Sequence, residues 1–253
     1  MKTRSTKTAA TLAVPVFLAI LAAAAPQDDA LRSPETTYLY KTTFVRAAPG
    51  KLLDLIALFK DHMAAYDAAG DERPLWWRHT QGDQWDLMLL TPMGSYTDYY
   101  AKKRVARRKD DDFPAKLAPC VSWREDLLVY GPPLERVKTA FNAAAYYHIE
   151  IFVSLPGKQA ELFKERVMEN IYQVGVGRPE NFIFVRDQGA SWDVFTLGCY
   201  RDILHWAGGG GDIPREKREL AARRAGFNSP DEIGPYMRTL IDWHRDTMGV
   251  AIK

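Results

Sequence analysis

The chain has 253 residues, 47% of them hydrophobic and 26% charged, with 17 Gly, 15 Pro and 2 Cys. That composition excludes a disordered chain, a collagen and a disulfide-dense miniprotein, and the length is enough to bury the core of one or two domains. The formal charge is +2, but Lys2, Arg4 and Lys7 fall in a leader expected to be removed; without them 31 basic residues face 32 acidic ones, which excludes a strongly basic nucleic-acid binder.

Residues 1–25 are laid out as a secretory signal: a positive start, an apolar run from Ala9 to Leu21, and small residues at Ala22–Ala25. The run is shorter than the roughly 20 apolar residues of a comfortable membrane span. No Cys follows it to carry a lipid anchor. The expectation is an exported protein, periplasmic or secreted, with no stable membrane insertion once the leader is cleaved. Residues 26–37 read as a polar linker, broken by Pro26 and Pro34.

Beyond the linker the sequence repeats itself. A shift of 107 residues matches Tyr40 with Tyr147, Pro49-Gly50-Lys51 with Pro156-Gly157-Lys158, and Leu55 with Leu162. It also matches Gly70 with Gly177, Gln81-Gly82 with Gln188-Gly189, Trp85-Asp86 with Trp192-Asp193, and Leu90 with Leu197. Eleven identities at one lag, where about three are expected by chance from such a composition, indicate a duplicated domain. Trp123-Arg124-Glu125-Asp126 then matches Trp243-His244-Arg245-Asp246 at a lag of 120, which places an insertion near 208–228, around four consecutive glycines. The repeats are expected at 38–133 and 145–253.

In each copy a β-rich segment (38–45, 146–153) comes first. Pro-Gly-Lys then opens a helix, with apolar residues at Leu52, Leu55, Ile56, Phe59 and Met63 in copy one and at Leu162, Phe163, Val167, Ile171 and Val174 in copy two. Gly70 and Gly175 are the expected stops. Strand pairs follow at 75–80 with 85–90 and at 182–186 with 192–197, then a second helical region (96–108; 202–206 plus the insertion) and a last strand (121–130; 243–252). The order βαββαβ, twice, is that of the ferredoxin-like plait. The expected fold is α+β: two ferredoxin-like repeats closed face to face into an α/β barrel.

On the Pro-Gly-Lys helix start, the Trp-Asp strand after a Gln-Gly turn and the late Trp-x-x-Asp strand, the chain resembles tandem dimeric α/β-barrel proteins of the group that includes the NIPSNAP proteins and the antibiotic-biosynthesis monooxygenases. The resemblance covers about residues 37–253. It implies the fold and a range of functions, from cofactor-free oxygenases, haem enzymes and isomerases to proteins with no known activity, so it names no reaction.

Strand alternation selects the candidate site. Along 147–153 the apolar set Tyr147, Ile149, Ile151 and Val153 is expected to face the helices, and His148 and Glu150 the barrel lumen, with Lys41 and Thr43 aligned to them in copy one. A carboxylate beside an imidazole raises its basicity and fixes its tautomer, which suits a general base. His148 and Glu150 are therefore the candidate catalytic residues. Lys41, Thr43, His79 and Arg186 are the candidate substrate contacts, chosen because the copies differ there. The plainer alternative is a satisfied polar pair. The Trp-Asp dipeptides, present in both copies, read as a shared structural contact. No metal is expected, since His148 and Glu150 supply only two ligands, and phosphate-loop and nucleophile-elbow motifs are missing. A lone lumen histidine would suit a haem axial ligand, but the Gly-x-x-Asp-Gly signature of dye-decolourising peroxidases is missing, and no cofactor is expected. Cys120 and Cys199 are expected as free thiols. The function expected is small-molecule binding in a lumen pocket, with cofactor-free oxygenase or isomerase chemistry, by a monomer or homodimer. The alternative is an exported, non-catalytic binding or interaction protein.

Overall fold

The computed structural model describes residues 36–108, 112–208 and 213–252. The leader, most of the linker and three of the four consecutive glycines lie outside the described residues. Strand β1 (Tyr38–Ala47) leads into helix α1 (Leu52–Ala69), then β2 (Leu75–Gln81), β3 (Leu87–Gly94), short helical turns and β4 (Val121–Gly131). Helix α5 (Leu134–Ala143) follows the three short helices α2 (Tyr96–Tyr99), α3 (Lys102–Val105) and α4 (Phe113–Leu117). The second half runs β5 (Tyr146–Ser154), α6 (Gln159–Val176), β6 (Asn181–Gln188), β7 (Val194–Tyr200), α7 (Ile203–Ala207), α8 (Arg215–Ala225), α9 (Ile233–Arg238) and β8 (Ile241–Ala251). The architecture is mixed α+β. Eight antiparallel strands close into one barrel in the order β1-β3-β2-β8-β5-β7-β6-β4, with β4 returning to β1.

Both long helices start after Pro-Gly-Lys and end on a glycine in the left-handed region: Gly70 (φ 67°) and Gly177 (φ 90°). The second helix therefore runs past Gly175, the expected stop. A Cβ at Gly175 would lie 3.0 Å from the Ala221 side chain on α8, so that glycine serves close helix packing instead of termination. The third strand of each half begins two residues later than expected. Asp86 and Asp193 are drawn off to accept hydrogen bonds from the first strand, Asp86 from the Ala47 amide (2.8 Å) and Asp193 from the Ser154 amide (2.9 Å) and hydroxyl (2.8 Å). The same contact in both halves makes the Trp-Asp dipeptide a structural device. The expected helix at 96–108 is broken into two single turns, the first capped by the Ser95 side chain accepting from the Asp98 amide.

The interior of the barrel is apolar and filled. Tyr40, Phe44, Trp77, Trp85, Tyr147, Ile149, Ile151, Phe184, Trp192 and Phe195 form one buried cluster fed by both halves. Helix α5, which connects the halves, contributes Leu134, Val137 and Phe141 to it. Tyr147 Oη donates to the Phe141 carbonyl (2.7 Å) and Tyr40 Oη to the Pro132 carbonyl (2.7 Å), fixing that connection to one end of the barrel. On the outside, α1 packs Leu55, Phe59 and Met63 on Val45, Trp76, Leu87 and Leu89, and α6 packs Leu162 and Phe163 on Phe152, Ile183, Val185 and Val194. Ile171 and Val174, expected on the buried face of α6, are exposed.

The two faces of β5 are thus reversed from the expectation. Tyr147, Ile149 and Ile151 point into the barrel, while His148 and Glu150 lie on the outer face, under α6. The outer helices cover each half only partly, whereas the lumen is enclosed on all sides. The face with no polar side chains therefore takes the lumen, where burial is most complete.

Candidate functional site

Because the lumen is filled, the polar residues selected from the sequence collect in two gaps between sheet and helices, one in each half. In the first, Lys41 and Thr43 on β1 face outward beneath α1. Thr43 Oγ1 donates to Asp126 Oδ1 on the paired strand β4, and Arg124 holds Asp126 Oδ2 at 2.7 Å. The Arg124 and Thr43 contacts hold the Asp126 carboxyl below the usual range against the opposing effect of burial. Burial pushes the Lys41 ammonium below its usual value. Its charged form is disfavoured in the fold, so stability linked to it rises as pH rises through its lowered pKa. The stability of Lys41→Met relative to the wild type is expected to be more favourable at pH 7 than at pH 10; urea melts at the two values check it, and an unchanged difference would mean that Lys41 is not strained by its charge.

Between α1 and the short helices that follow β3 lies a cleft of about 510 Å³ walled by His62, Tyr66, Tyr99 and Phe113, with Asp71, Arg107 and Arg108 also in its lining. The Tyr66 hydroxyl, pushed up to about 12 mainly by burial, is hydrogen-bonded to Thr91, the strand partner of Lys41. The His62 ring stacks on Phe113 at 3.7 Å. Asp71 anchors the wall, bound by Arg104 Nε (2.6 Å) and Arg108 Nε (2.7 Å), and the Arg108 guanidinium lies 3.5 Å over the Tyr99 ring. Arg104 and Arg108 are thus turned inward.

In the second half His148 and Glu150 do come close, joined by a residue that sequence reasoning missed, Asp246 on β8. His148 Nε2 is 3.2 Å from Asp246 Oδ1, and one ligand atom from each of the three lies within 4.8 Å of the others. Glu150 Oε2 accepts from Thr196 Oγ1 (2.9 Å), and burial pushes its carboxyl up. The His148 hydrogen bond holds Asp246 down. Behind them Arg166 of α6 is buried between Glu165 and Glu169, 4.0 Å from Glu150, over the Phe152 ring. The signal for Asp246 was present: Asp126 and Asp246 recur in both copies, but only the β5·β8 pairing, which sets Glu150 opposite Asp246, shows what they face.

The other two candidates do not join these clusters. Arg186 is committed to Asp193 Oδ1 (2.7 Å) and the Ala190 carbonyl, and His79 packs edge-on against Trp85 at 5.6 Å. Both cysteines are free; burial pushes the Cys199 thiol up to about 12, which leaves it unreactive.

The fold and its sheet–helix gaps define a ferredoxin-like α/β-barrel protein. No protein-family model matches the sequence, and no curated protein matches it significantly. Among solved structures it is similar to an anthrone oxidase-like protein (13% identity, TM-score 0.55, covering 88% of this chain and 94% of that one). It is also similar to a provisionally named monooxygenase of Fusobacterium nucleatum (10%, 0.54, 86% and 94%) and to one of Lactobacillus acidophilus (8%, 0.51, 85% and 94%). At these identities the likeness is one of fold.

Proposed function

We propose that this chain is an exported small-molecule-binding α/β-barrel protein whose ligand occupies the first-half cleft, not the lumen. The observation that carries the reading is the contrast between a barrel interior packed with aromatic side chains and an outer cleft of about 510 Å³. Flat walls from Tyr66, Phe113 and His62, with Arg107 at the edge, suit a flat organic anion such as an aromatic carboxylate or phenolate. Two neighbours are described as monooxygenases, and one as anthrone oxidase-like, a description that names a flat aromatic ketone. These descriptions support small aromatic molecules as the ligand class.

On the sequence motifs, the two halves are copies of one ferredoxin-like unit, near the NIPSNAP and antibiotic-biosynthesis-monooxygenase group. The leader pattern supports export, and among the described residues no helix is long and apolar enough to cross a membrane. Closure of the barrel within one chain supports a monomer, or a dimer formed through outer surfaces. The candidate catalytic pair His148 and Glu150 lies in the other gap, and the imidazole that lines the cleft, His62, is stacked on Phe113. The cleft therefore supports binding, with no step of catalysis assigned to it.

A thermal-shift screen tests this with aromatic carboxylates against their neutral methyl esters. The acids are expected to raise the melting temperature more than the esters. Ala65→Trp, which fills the cleft from α1, is expected to abolish the shift. Equal shifts in the wild type and Ala65→Trp would move the site elsewhere.

A further inference from the structure

The second-half gap has a built-in comparison in the first. Strand pairing places Thr43 opposite Asp126 and Glu150 opposite Asp246, so Lys41 corresponds to His148, Thr43 to Glu150, and Arg124 to His244. In the first half Asp126 is neutralised by cations that belong to the chain: Arg124 at 2.7 Å, with Lys41 nearby. In the second half both cations are replaced by imidazoles and the threonine by a carboxylate, around the same aspartate. Two carboxylates directly opposite on neighbouring strands repel each other when both are ionised, and without a cation Glu150 and Asp246 are held together by a hydrogen bond. The guanidinium beside Glu150, that of Arg166, is committed to Glu165 and Glu169 and stays 4.0 Å from Glu150. Glu150, Glu165 and Glu169 thus crowd round one buried guanidinium, and burial pushes the Glu150 carboxyl up instead of its being neutralised by a cation of its own.

We infer that the outer face of β5 and β8 binds one first-row divalent cation, of the zinc or manganese type, through His148, Glu150 and Asp246. The separation of His148 Nε2 from Asp246 Oδ1, 3.2 Å, matches the edge of a coordination polyhedron. With metal–ligand bonds of about 2.1 Å that edge is roughly 3.0 Å in an octahedron and roughly 3.4 Å in a tetrahedron. One imidazole with two carboxylates is a donor set for such ions, and it leaves positions open to water or a ligand. Each carboxylate of the set is held by a second contact. Thr196 holds one oxygen of Glu150 at 2.9 Å, and His244 Nε2 stands 3.4 Å from Asp246 Oδ2, with Arg238 against its other nitrogen at 3.3 Å. The Asp246 side chain is 47% exposed, so an ion can enter from solvent, beside Trp206, whose ring lies 5.7 Å from His148. The site is independent of the cleft proposed above for the organic ligand.

The test uses the untagged full chain, stripped with EDTA and dialysed. Zn(II) and Mn(II) are titrated separately by calorimetry, with the Mn(II) EPR signal as a second readout and Mg(II) as competitor. The expected result is one ion per chain, held tightly enough that Mg(II) displaces it poorly. Glu150→Gln and His148→Ala are each expected to weaken binding at least tenfold, and Asp126→Asn, the first-half counterpart of Asp246, to leave it unchanged. Glu150→Gln keeps the side-chain shape and an oxygen for Thr196, so it decides the matter if His148→Ala fails to fold. No stoichiometric binding, or binding that Glu150→Gln leaves intact, overturns the inference.

Discussion

Phe184→Ala is expected to lower the free energy of unfolding by about 3–5 kcal/mol, the range for losing a buried phenyl ring with incomplete collapse around the hole. Phe184 is fully buried inside the barrel, stacked on Phe195 at 4.5 Å and edge-on to Tyr40 at 5.5 Å. The barrel wall is hydrogen-bonded all the way round, so it cannot close over the space as a loose helix pair would. Gly131→Ala probes the same spot from the opposite direction, because its Cβ would sit 2.3 Å from Phe184 Cδ1. That overpacking is expected to cost about 1–3 kcal/mol. Combining it with Phe184→Leu should give much less than the sum of the two single effects, since the smaller side chain vacates the clash. His148→Ala, on the other face of β5, is expected to cost far less than Ile149→Ala beside it. Urea melts of this set check the assignment of faces, and a large loss for His148→Ala with a small one for Ile149→Ala would reverse it.

Arg166→Met is expected to be as damaging, by about 3–5 kcal/mol, because it strands buried carboxylates without their cation. Arg166 Nε lies 2.6 Å from Glu165 Oε2 and its Nη2 2.9 Å from Oε1, with both side chains buried. Burial, outweighing that guanidinium, pushes the Glu165 carboxyl up to about 7. A carboxyl raised in this way binds more protons in the folded state than in the unfolded one. Its contribution to stability is full below its unfolded pKa of about 4.5 and is lost as pH rises through about 7. The Arg166→Met deficit should therefore be larger at pH 8, where Glu165 must ionise, than at pH 5, where it remains protonated. Denaturant melts at the two values measure the difference, and equal deficits would show that Glu165 is not the group left stranded.

The order of elements was legible because the 107-residue lag fell on residues that punctuate structure: the Pro-Gly helix starts, Gly70 and Gly177, and the Gln-Gly turns. The direction of the faces was not. A period of two states which side chains share a face, not whether that face meets a helix or a lumen. That choice depended on how completely each side is covered. Helix α5 was missed because Pro132-Pro133 reads as a break, although Leu134, Val137 and Phe141 recur at helical spacing behind it. That His148 and Glu150 lie close together was legible from their spacing on one strand face. Asp246 and Arg166, 98 and 18 residues from His148, joined them only through the β5·β8 pairing and the seating of α6.

The seams of the barrel have a consequence for how the chain is made. β2 finds its partner in β8 and β4 in β6, so both edges of the first half wait for strands synthesised much later. Until then the N-terminal segment offers two unpaired strand edges and a face of Tyr40, Phe44, Trp77 and Trp85, the combination most prone to wrong pairing between nascent chains. The last strand, β8, closes the ring against β2 and β5 at once. The barrel therefore closes only when nearly the whole polypeptide is available, and a chain that stops short of residue 241 leaves it open between β2 and β5.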